Sequence, residues 1–380
     1  MSFGEQRLAT CGTARMTGLG KPLSLIILGI TLVLATSIFA GVRYGLMLAV
    51  GLGFGLVLEG LRFGFAGPWR AMILRRDPSG LLAQLLAIGI VAMVALPLIA
   101  ARGDELTGAQ APIGLGMIAG AFIFGAAMQV VLGCGSGTLV NAGSGNPVSL
   151  LALPFFAAGS FAGAWHLFHW SAFASLPPVT LTGWYGAGLT VAMLVLVAVA
   201  LWKFAAPEYR VFPRRYLLAA LAIALLALLN LVIAGQPWGV VYGLGLWAAK
   251  GATALGADLS SSAFWTAPST VERIQASLLT DYTSLTNIGI IVGAFIIANW
   301  RSSSLSKALP RLPARAWFAT ILAGFLLGYS SRLAFGCNVG AFFSGISTGS
   351  LHGWVWFVAA FLGSFAGIRL RYIAGLEARP

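Results

Sequence analysis

Residues 332–343 read RLAFGCNVGAFF, and they interrupt an apolar part of the chain with glycines, a cysteine and an arginine. Cys337 lies between glycines, five residues after Arg332. A second copy of this core, GCGSG, occupies residues 133–137 and contains Cys134. In a bilayer, irregular backbone persists only where protein buries it or where it lines a cavity. The two copies therefore predict broken segments that meet on a path through a membrane; the alternative is two glycine-mediated helix contacts, each with a small buried cysteine.

The composition places the chain among membrane proteins. It is 59% hydrophobic and only 9% charged, and several apolar runs reach the length of about 20 residues that a spanning helix needs. We expect an all-α polytopic membrane protein with about 9–10 transmembrane helices plus short re-entrant helices. The predicted hydrophobic segments are 22–40, 44–61, 80–101, 113–132, 148–168, 183–204, 216–235, 285–300, 316–335 and 353–370.

The charge pattern sets the expected orientation. The formal net charge is +13, but most basic residues lie in short loops and tails, as the positive-inside rule expects, so the charge does not indicate nucleic-acid binding. We expect residues 1–21 to form a polar cytoplasmic arm, 22–371 a single membrane transport domain and 372–380 a cytoplasmic tail. The irregular region 236–284 is expected to fold partly back into the membrane. Both termini are then cytoplasmic, in a multi-pass protein of the plasma (inner) membrane.

Internal repetition suggests two halves. Glycines lie nine residues before and three residues after both Cys134 and Cys337. The same frame fits Gly64 and, more weakly, Ala254. The pentapeptide Gly-Ser-Phe-Ala-Gly follows each cysteine, at 159–163 and at 363–367.

From this pattern we predict two repeated halves, 44–170 and 236–371. The Cys134 element is expected to join spans on the cytoplasmic side and the Cys337 element on the outer side. Such opposite entry is what inverted pseudo-symmetry produces in transporters.

Three stretches resemble the YeeE/YedE sulfur-transport family, which includes bacterial thiosulfate uptake proteins and proteins tied to selenium metabolism. The most specific is 332–354, with GCNVGAFFSG and SLHGW; the second is Gly133-Cys134-x-x-Gly137. The third is 53–70, where the family's usual cysteine position holds Gly64. The resemblance implies membrane helices with short helices dipping in from both faces. It also implies cysteines that line a narrow central path for a sulfur oxyanion.

The expected function is that of a permease that takes up a sulfur-containing inorganic anion, most simply thiosulfate. A selenium species or another sulfur compound is an alternative substrate. Two alternatives belong to other classes. One is a membrane thiol oxidoreductase, although the chain has no Cys-x-x-Cys. The other is a scaffold or membrane anchor with no path. We expect no enzyme activity, no cofactor, no metal and no nucleic acid. The expected partners are the anion, the bilayer and, as a further candidate, a cytoplasmic sulfur-carrier protein.

The predicted pathway residues combine weak donors, glycines and two cations. A dianion is very costly to place in a low-dielectric core, and thiols, helix N-termini and exposed backbone N–H groups can offset that cost. We expect the thiols to be protonated, because a thiolate would repel the anion. The predicted residues are Cys134, Cys337, Gly133, Gly137, Gly336, Gly340, Asn338, Gly64, Arg62 and Arg332.

Several other polar residues have simpler interpretations. Arg62 and Arg332 could instead extend to a membrane interface, and Glu59 could pair with Arg62. Lys250 could contact the substrate, but it is interpreted as an external loop lysine, and Cys11 is given no role. The histidines His166, His169 and His352 lack metal-ligand spacing. The tryptophans Trp165, Trp170, Trp354 and Trp356 are predicted to lie in interfacial belts.

Overall fold

A computed structural model describes residues 20–171, 173, 175–301 and 311–378 of the chain. Residues 1–19, which make up nearly all of the predicted N-terminal arm and include Cys11, lie outside the described residues. The last two residues of the predicted tail also lie outside them.

Helices form about three quarters of the described chain. They are α1 Gly20–Phe39, α2 Val42–Gly60, α3 Ala66–Arg75, α4 Ser79–Ala101, α5 Leu115–Val131, α6 Gly135–Gly143, α7 Pro147–Trp165, α8 Leu167–Ser171, α9 Gly183–Phe204, α10 Arg214–Ala234, α11 Val241–Ala254, α12 Pro268–Gln275, α13 Tyr282–Arg301, α14 Ala314–Leu333, a π-helix Asn338–Gly345 and α15 His352–Ile373. Two short 3₁₀ helices are Pro207–Tyr209 and Leu278–Thr280. Two two-residue strands, Ile113–Gly114 and Ser175–Leu176, pair antiparallel.

The predicted fold class is confirmed. Within the described residues, nine helical segments are long and apolar enough to span a membrane, and α1 adds a shorter apolar stretch at Leu23–Phe39. Short helices separate the long ones at α3, α6, α11 and the π-helix. The irregular region 236–284 contains α11 and α12 rather than a simple span.

Contacts between loops define two ends of the bundle. At the basic end, Arg301 donates to the carbonyl oxygens of Glu59 and Gly60, and Glu377 bridges Arg70 and Arg371. At the opposite end, Thr107 N donates to the carbonyl of Gly235, Ala109 N donates to Thr348 Oγ1, and Leu181 N donates to the carbonyl of Gly349. The ends of α2, α3, α9, α13 and α15 therefore share one face of the protein, together with most of the arginines.

The three breaks predicted by the glycine frame share a backbone feature. Arg62, Leu132 and Phe335 all have a positive φ, between 52° and 56°. They lie two residues before Gly64, Cys134 and Cys337, respectively. A left-handed backbone conformation costs roughly 1–2 kcal/mol at a residue other than glycine. The same strained turn at three matching positions is therefore a specific feature.

The weaker match of the glycine frame at Ala254 was wrong. Ala254 is the last residue of α11, not a residue that precedes a short helix. The corresponding short helix begins at Val241, after Val240. The weak glycine match at Ala254 had no cysteine or pentapeptide to fix its register.

The two cysteine-containing units pack against each other reciprocally. In α5 and α15, a methyl group at Gly363 would lie 2.0 Å from the carbonyl oxygen of Phe122, and one at Gly367 would lie 2.1 Å from that of Ala126. In α7 and α14, a methyl group at Gly159 would lie 2.0 Å from the carbonyl oxygen of Phe325. Both copies of the pentapeptide thus allow two helix backbones to touch.

The directions of these helices agree with the predicted inversion. Residue numbers rise together along α5 and α15, and also along α7 and α14, so each pair is parallel. The α5 helix runs towards the basic end, whereas α14, its counterpart before the other cysteine, runs away from it. Opposite directions for corresponding helices are what inverted halves require; the repeat itself stays a prediction.

The glycine contact between α7 and α14 provides a stability test. A methyl group at Gly328 would lie 2.0 Å from the carbonyl oxygen of Phe156, so Gly328→Ala must push the two backbones apart. Overpacking of this kind costs about 1–3 kcal/mol, and we expect a lower Tm in detergent. The matched control is Gly188→Ala in α9, where a methyl group would meet no atom within 4 Å. Equal Tm values for the two variants would contradict the close contact.

Candidate substrate pathway

The two cysteine elements touch inside the bundle. Cys134 immediately precedes α6, Cys337 immediately precedes the π-helix, and both side chains are fully buried. A methyl group at Gly135 would lie 2.9 Å from Cys337 Sγ and 3.5 Å from Cys337 Cβ. The start of α6 and the start of the π-helix therefore meet at a single point, which we call the cysteine contact.

The Cys134 thiol is held by its own helix. Its Sγ accepts a hydrogen bond from Gly137 N at 3.5 Å, and it lies 3.4 Å from Ser136 Oγ. Thr138 Oγ1 donates to the Cys134 carbonyl at 2.8 Å. Cys337 makes no equivalent side-chain cap on the π-helix. The first N–H groups of a helix lack partners within that helix, so this end of the π-helix retains donor capacity.

One cavity lies between the cysteine contact and the basic end. This basic-end cavity has a volume of about 330 Å³. Its lining includes Glu59, Arg62, Gly64, Gly67, Gly133, Ser136, Gly137 and Asn141. A methyl group at Gly64 would have no atom within 4 Å, so this position borders open space. A side chain at position 64 would therefore project into the cavity.

A second cavity lies on the other side of the contact. This opposite-end cavity has a volume of about 400 Å³, and its lining includes Gly239, Tyr242, Phe264, Arg332, Gly336, Cys337 and Gly340. The Arg332 guanidinium lies 4.6 Å from the ring centre of Phe264 and 5.8 Å from that of Tyr242. In the described part of the chain, no carboxylate pairs with it. An arginine held by aromatic rings without a counter-ion can attract an anion.

The starts of α6, α11 and the π-helix lie close together, and the start of α3 borders the basic-end cavity. Val240, which precedes α11, has its Cγ1 3.2 Å from the methyl position at Gly135. Phe65, which precedes α3, has its ring centre 6.3 Å from that of Phe343 in the π-helix and 6.5 Å from that of Trp238. Helix N-termini carry partial positive charge, so their convergence favours an anion near the cysteine contact.

Three amide side chains, of which Gln84 and Asn287 are fully buried and Asn141 is partly buried, hold three of the loops that enter these helices. Gln84 Nε2 donates to the Gly64 carbonyl at 2.8 Å, Asn141 Nδ2 to the Leu132 carbonyl at 3.2 Å, and Asn287 Nδ2 to the Val240 carbonyl at 2.9 Å. These three residues were missed by the sequence reasoning. The available signal was a single amide within an apolar helix, which lipid would penalise unless it had a partner.

The sequence profile of a family described as sulphur transport matches residues 61–366. The chain belongs to this sulphur transport family. The matched region begins just before Gly64 and contains both cysteine elements and both cavities' principal linings.

Individual members of the sulphur transport family are similar over different lengths. The thiosulfate transporter TsuA of Spirochaeta thermophila is 25% identical over 338 residues, which are 84% of this chain and 96% of that protein. The probable transporter YedE of Escherichia coli is 36% identical over 97 residues, which are 26% of this chain and 24% of that protein. The chain thus spans about a quarter of YedE's length in that match. A YedE from Salmonella typhimurium is 34% identical over the same share of each chain.

Asn338, one of the predicted pathway residues, has an unusual environment. Its side chain is fully buried, yet neither its amide nitrogen nor its amide oxygen has a hydrogen-bond partner in the described chain. The indole Nε1 of Trp238 is also buried without a partner, and its ring stacks on Phe54 at 3.8 Å. Leaving such groups unpaired costs about 1–3 kcal/mol each, so both residues differ from ordinary core residues.

Several sequence interpretations need correction. Lys250 is not a loop lysine: it lies in α11, and its Nζ donates to the carbonyls of Ile274 and Ala276. Glu59 forms no ion pair with Arg62 among the described residues; its carbonyl instead accepts from Arg301.

One tryptophan also differs from expectation, and one histidine has an environment that the sequence did not indicate. Trp356 is fully buried against Trp69 and Phe124, so it is a core residue rather than part of an interfacial belt. His352 is buried, and its Nδ1 lies 2.6 Å from Ser350 Oγ. Both residues follow the π-helix, and for Trp356 tight packing around this break outweighs the usual preference of tryptophan for an interface.

The cysteine contact can be tested by cross-linking. The 3.5 Å separation between Cys337 Cβ and the methyl position at Gly135 falls within the range of about 3.5–4.5 Å for a disulfide. With Cys134 and Cys11 replaced by Ala, we expect Gly135→Cys to form a disulfide with Cys337 after mild oxidation, detected by mass spectrometry of the linked peptides.

The control for this cross-link is Gly137→Cys in the same background. A methyl group there would meet only Cys134 Sγ within 4 Å, so no bond to Cys337 should form. Equal cross-linking of the two variants, or none at position 135, would contradict the contact.

Proposed function

We propose that this sulphur transport protein carries a small sulfur-containing anion, with thiosulfate as the first candidate, between its two cavities through the cysteine contact. One observation carries the proposal. Cys337 Sγ meets Gly135 of the Cys134 helix at a point that separates a cavity near the basic end from one near the opposite end. A narrow contact between two cavities is the arrangement that a permease with a central binding point requires.

The chemistry along this route suits weak, successive binding of an anion. Arg332 in the opposite-end cavity provides a full positive charge for capture. At the cysteine contact only neutral thiols and partial helix charges face the ion, and their individual hydrogen bonds are worth about 1 kcal/mol. Conduction needs binding that is favourable enough to admit the ion and weak enough to release it. A strong charge at the mouth and weak donors at the centre meet both needs.

The proposed direction and substrate rest on two further arguments. The basic end is assigned to the cytoplasm, because arginines and lysines concentrate in cytoplasmic loops. Uptake then runs from the opposite-end cavity to the basic-end cavity. Thiosulfate is favoured because the relative that matches most of this chain is named a thiosulfate transporter. A soft terminal sulfur also suits a path that contains two thiols.

The two cysteines are the first variants to examine. Cys337→Ala should abolish uptake of radiolabelled thiosulfate into proteoliposomes, because it removes the side chain at the contact, and Cys134→Ala should impair uptake similarly. The control is Cys11→Ala, which should transport at the native rate. Tm in detergent would establish that each variant is folded. Native uptake by the folded Cys337→Ala protein would overturn the pathway.

Gly64 is the position where this chain departs from the family pattern. Gly64→Leu should block passage, because the side chain would enter the open space of the basic-end cavity. Gly64→Cys adds one weak donor and should shift the preference between thiosulfate and sulfate towards thiosulfate by about fivefold, the equivalent of one hydrogen bond.

Competition uptake with labelled thiosulfate would measure both effects at Gly64. The matched control is Gly60→Leu: a methyl group at Gly60 also meets open space, but this residue does not line the cavity. Transport by Gly64→Leu at the native rate and with the native preference would remove Gly64 from the path.

A further inference from the structure

An apolar groove on the lipid-facing side of the bundle is separate from both cavities of the proposed path. It lies between α4 and α9, has a volume of about 450 Å³, and ends at Phe212 just before α10. Leu86, Ile90 and Val195 are among its lining residues, and almost all of its exposed surface is apolar. We propose that this groove binds one acyl chain of an anionic phospholipid, whose phosphate is held by basic residues at the groove's mouth.

The length and position of the groove fit one leaflet. Along α4 its lining runs from Leu82 to Met93, which at 1.5 Å per residue is roughly 16 Å. Half of a hydrocarbon core about 30 Å thick is nearly the same distance. Along α9 the lining runs from Val191, close to the midpoint of that helix, to Ala198, which is nearer the basic end. The groove therefore extends from the basic end to about the middle of the membrane.

Side-chain size explains why the groove stops there. Ala92, Leu96 and Ala187 form a buried cluster that holds α4 and α9 together towards the opposite end. Nearer the basic end, Gly89 leaves room beside α9, with Leu194 Cδ1 3.6 Å from its methyl position. The result is a slot with a closed inner end and a mouth at the basic end.

The mouth carries a cluster of cations that lack ion pairs among the described residues. Ser79 Oγ donates to the Val211 carbonyl and Ala206 N donates to the Arg76 carbonyl, so the loop before α10 lies beside the start of α4. The cations on these segments are Arg76, Lys203, Arg210, Arg214 and Arg215, against the carboxylates of Asp77 and Glu208. This excess of positive charge at the headgroup level favours an anionic lipid over a zwitterionic one.

Lipid binding to the purified full-length chain tests the proposal. Native mass spectrometry would compare phosphatidylglycerol with phosphatidylcholine of identical acyl chains. We expect selective retention of phosphatidylglycerol. Arg210→Gln combined with Arg214→Gln should weaken phosphatidylglycerol binding by tenfold or more, because each basic residue near the surface contributes roughly fivefold. Gly89→Leu fills the groove and should weaken both lipids.

Matched controls separate this site from general effects. Arg311→Gln combined with Arg369→Gln removes two exposed cations elsewhere on the protein, and Gly188→Leu adds the same side chain to an open face of α9. Neither control should change lipid retention, and Tm would establish that every variant is folded.

Three outcomes would overturn the assignment. The first is that the native chain retains the two lipids equally. The second is that the charge variant and the groove variant both retain phosphatidylglycerol as the native chain does. The third is that the native chain forms a dimer and Gly89→Leu abolishes it. The last would show that a second copy of the chain occupies the groove. If Gly89→Leu does not fold, the charge variant alone decides between the outcomes.

Discussion

The whole arrangement depends on satisfying backbone polar groups where helices break inside an apolar bundle. Every unpaired N–H or C=O in such surroundings costs several kcal/mol, so a break persists only with a dedicated partner. Gln84, Asn141 and Asn287 donate to loop carbonyls, and Ser344 Oγ donates to the Trp238 carbonyl at 2.7 Å. These partners let short helices begin in the interior, and helix N-termini near the cysteine contact are the result.

Much of the fold was readable from the sequence because lipid imposes strong rules on composition. The predicted spans agree with the helices to within a few residues; 183–204, for example, coincides with α9. The break positions were readable as well, since Gly133 and Gly336 flank cysteines within apolar runs. The pentapeptide also proved informative, because both copies make the same kind of glycine contact with a neighbouring helix.

The site was less readable, because a side chain's partner depends on helices far away in the sequence. The contact of Gly135 with Cys337 joins residues about two hundred positions apart, and no local pattern encodes it. Trp356 was misplaced for the same reason: residue type favours an interface, but packing against Trp69 and Phe124 buries it. The weak frame at Ala254 failed because glycine is too common here, with 49 copies, to fix a register alone.

The reciprocal packing of the cysteine units has a mechanical consequence. The Cys134 unit contributes α5 to one parallel pair and α7 to the other, and the Cys337 unit contributes α15 and α14 in the same way. Each cysteine loop therefore connects a helix of one parallel pair to a helix of the other, and both loops connect the same two pairs. If one pair slides past the other, both loops must deform together. The positions of the two thiols are thus mechanically coupled. A movement of this kind that displaces one thiol also displaces the other.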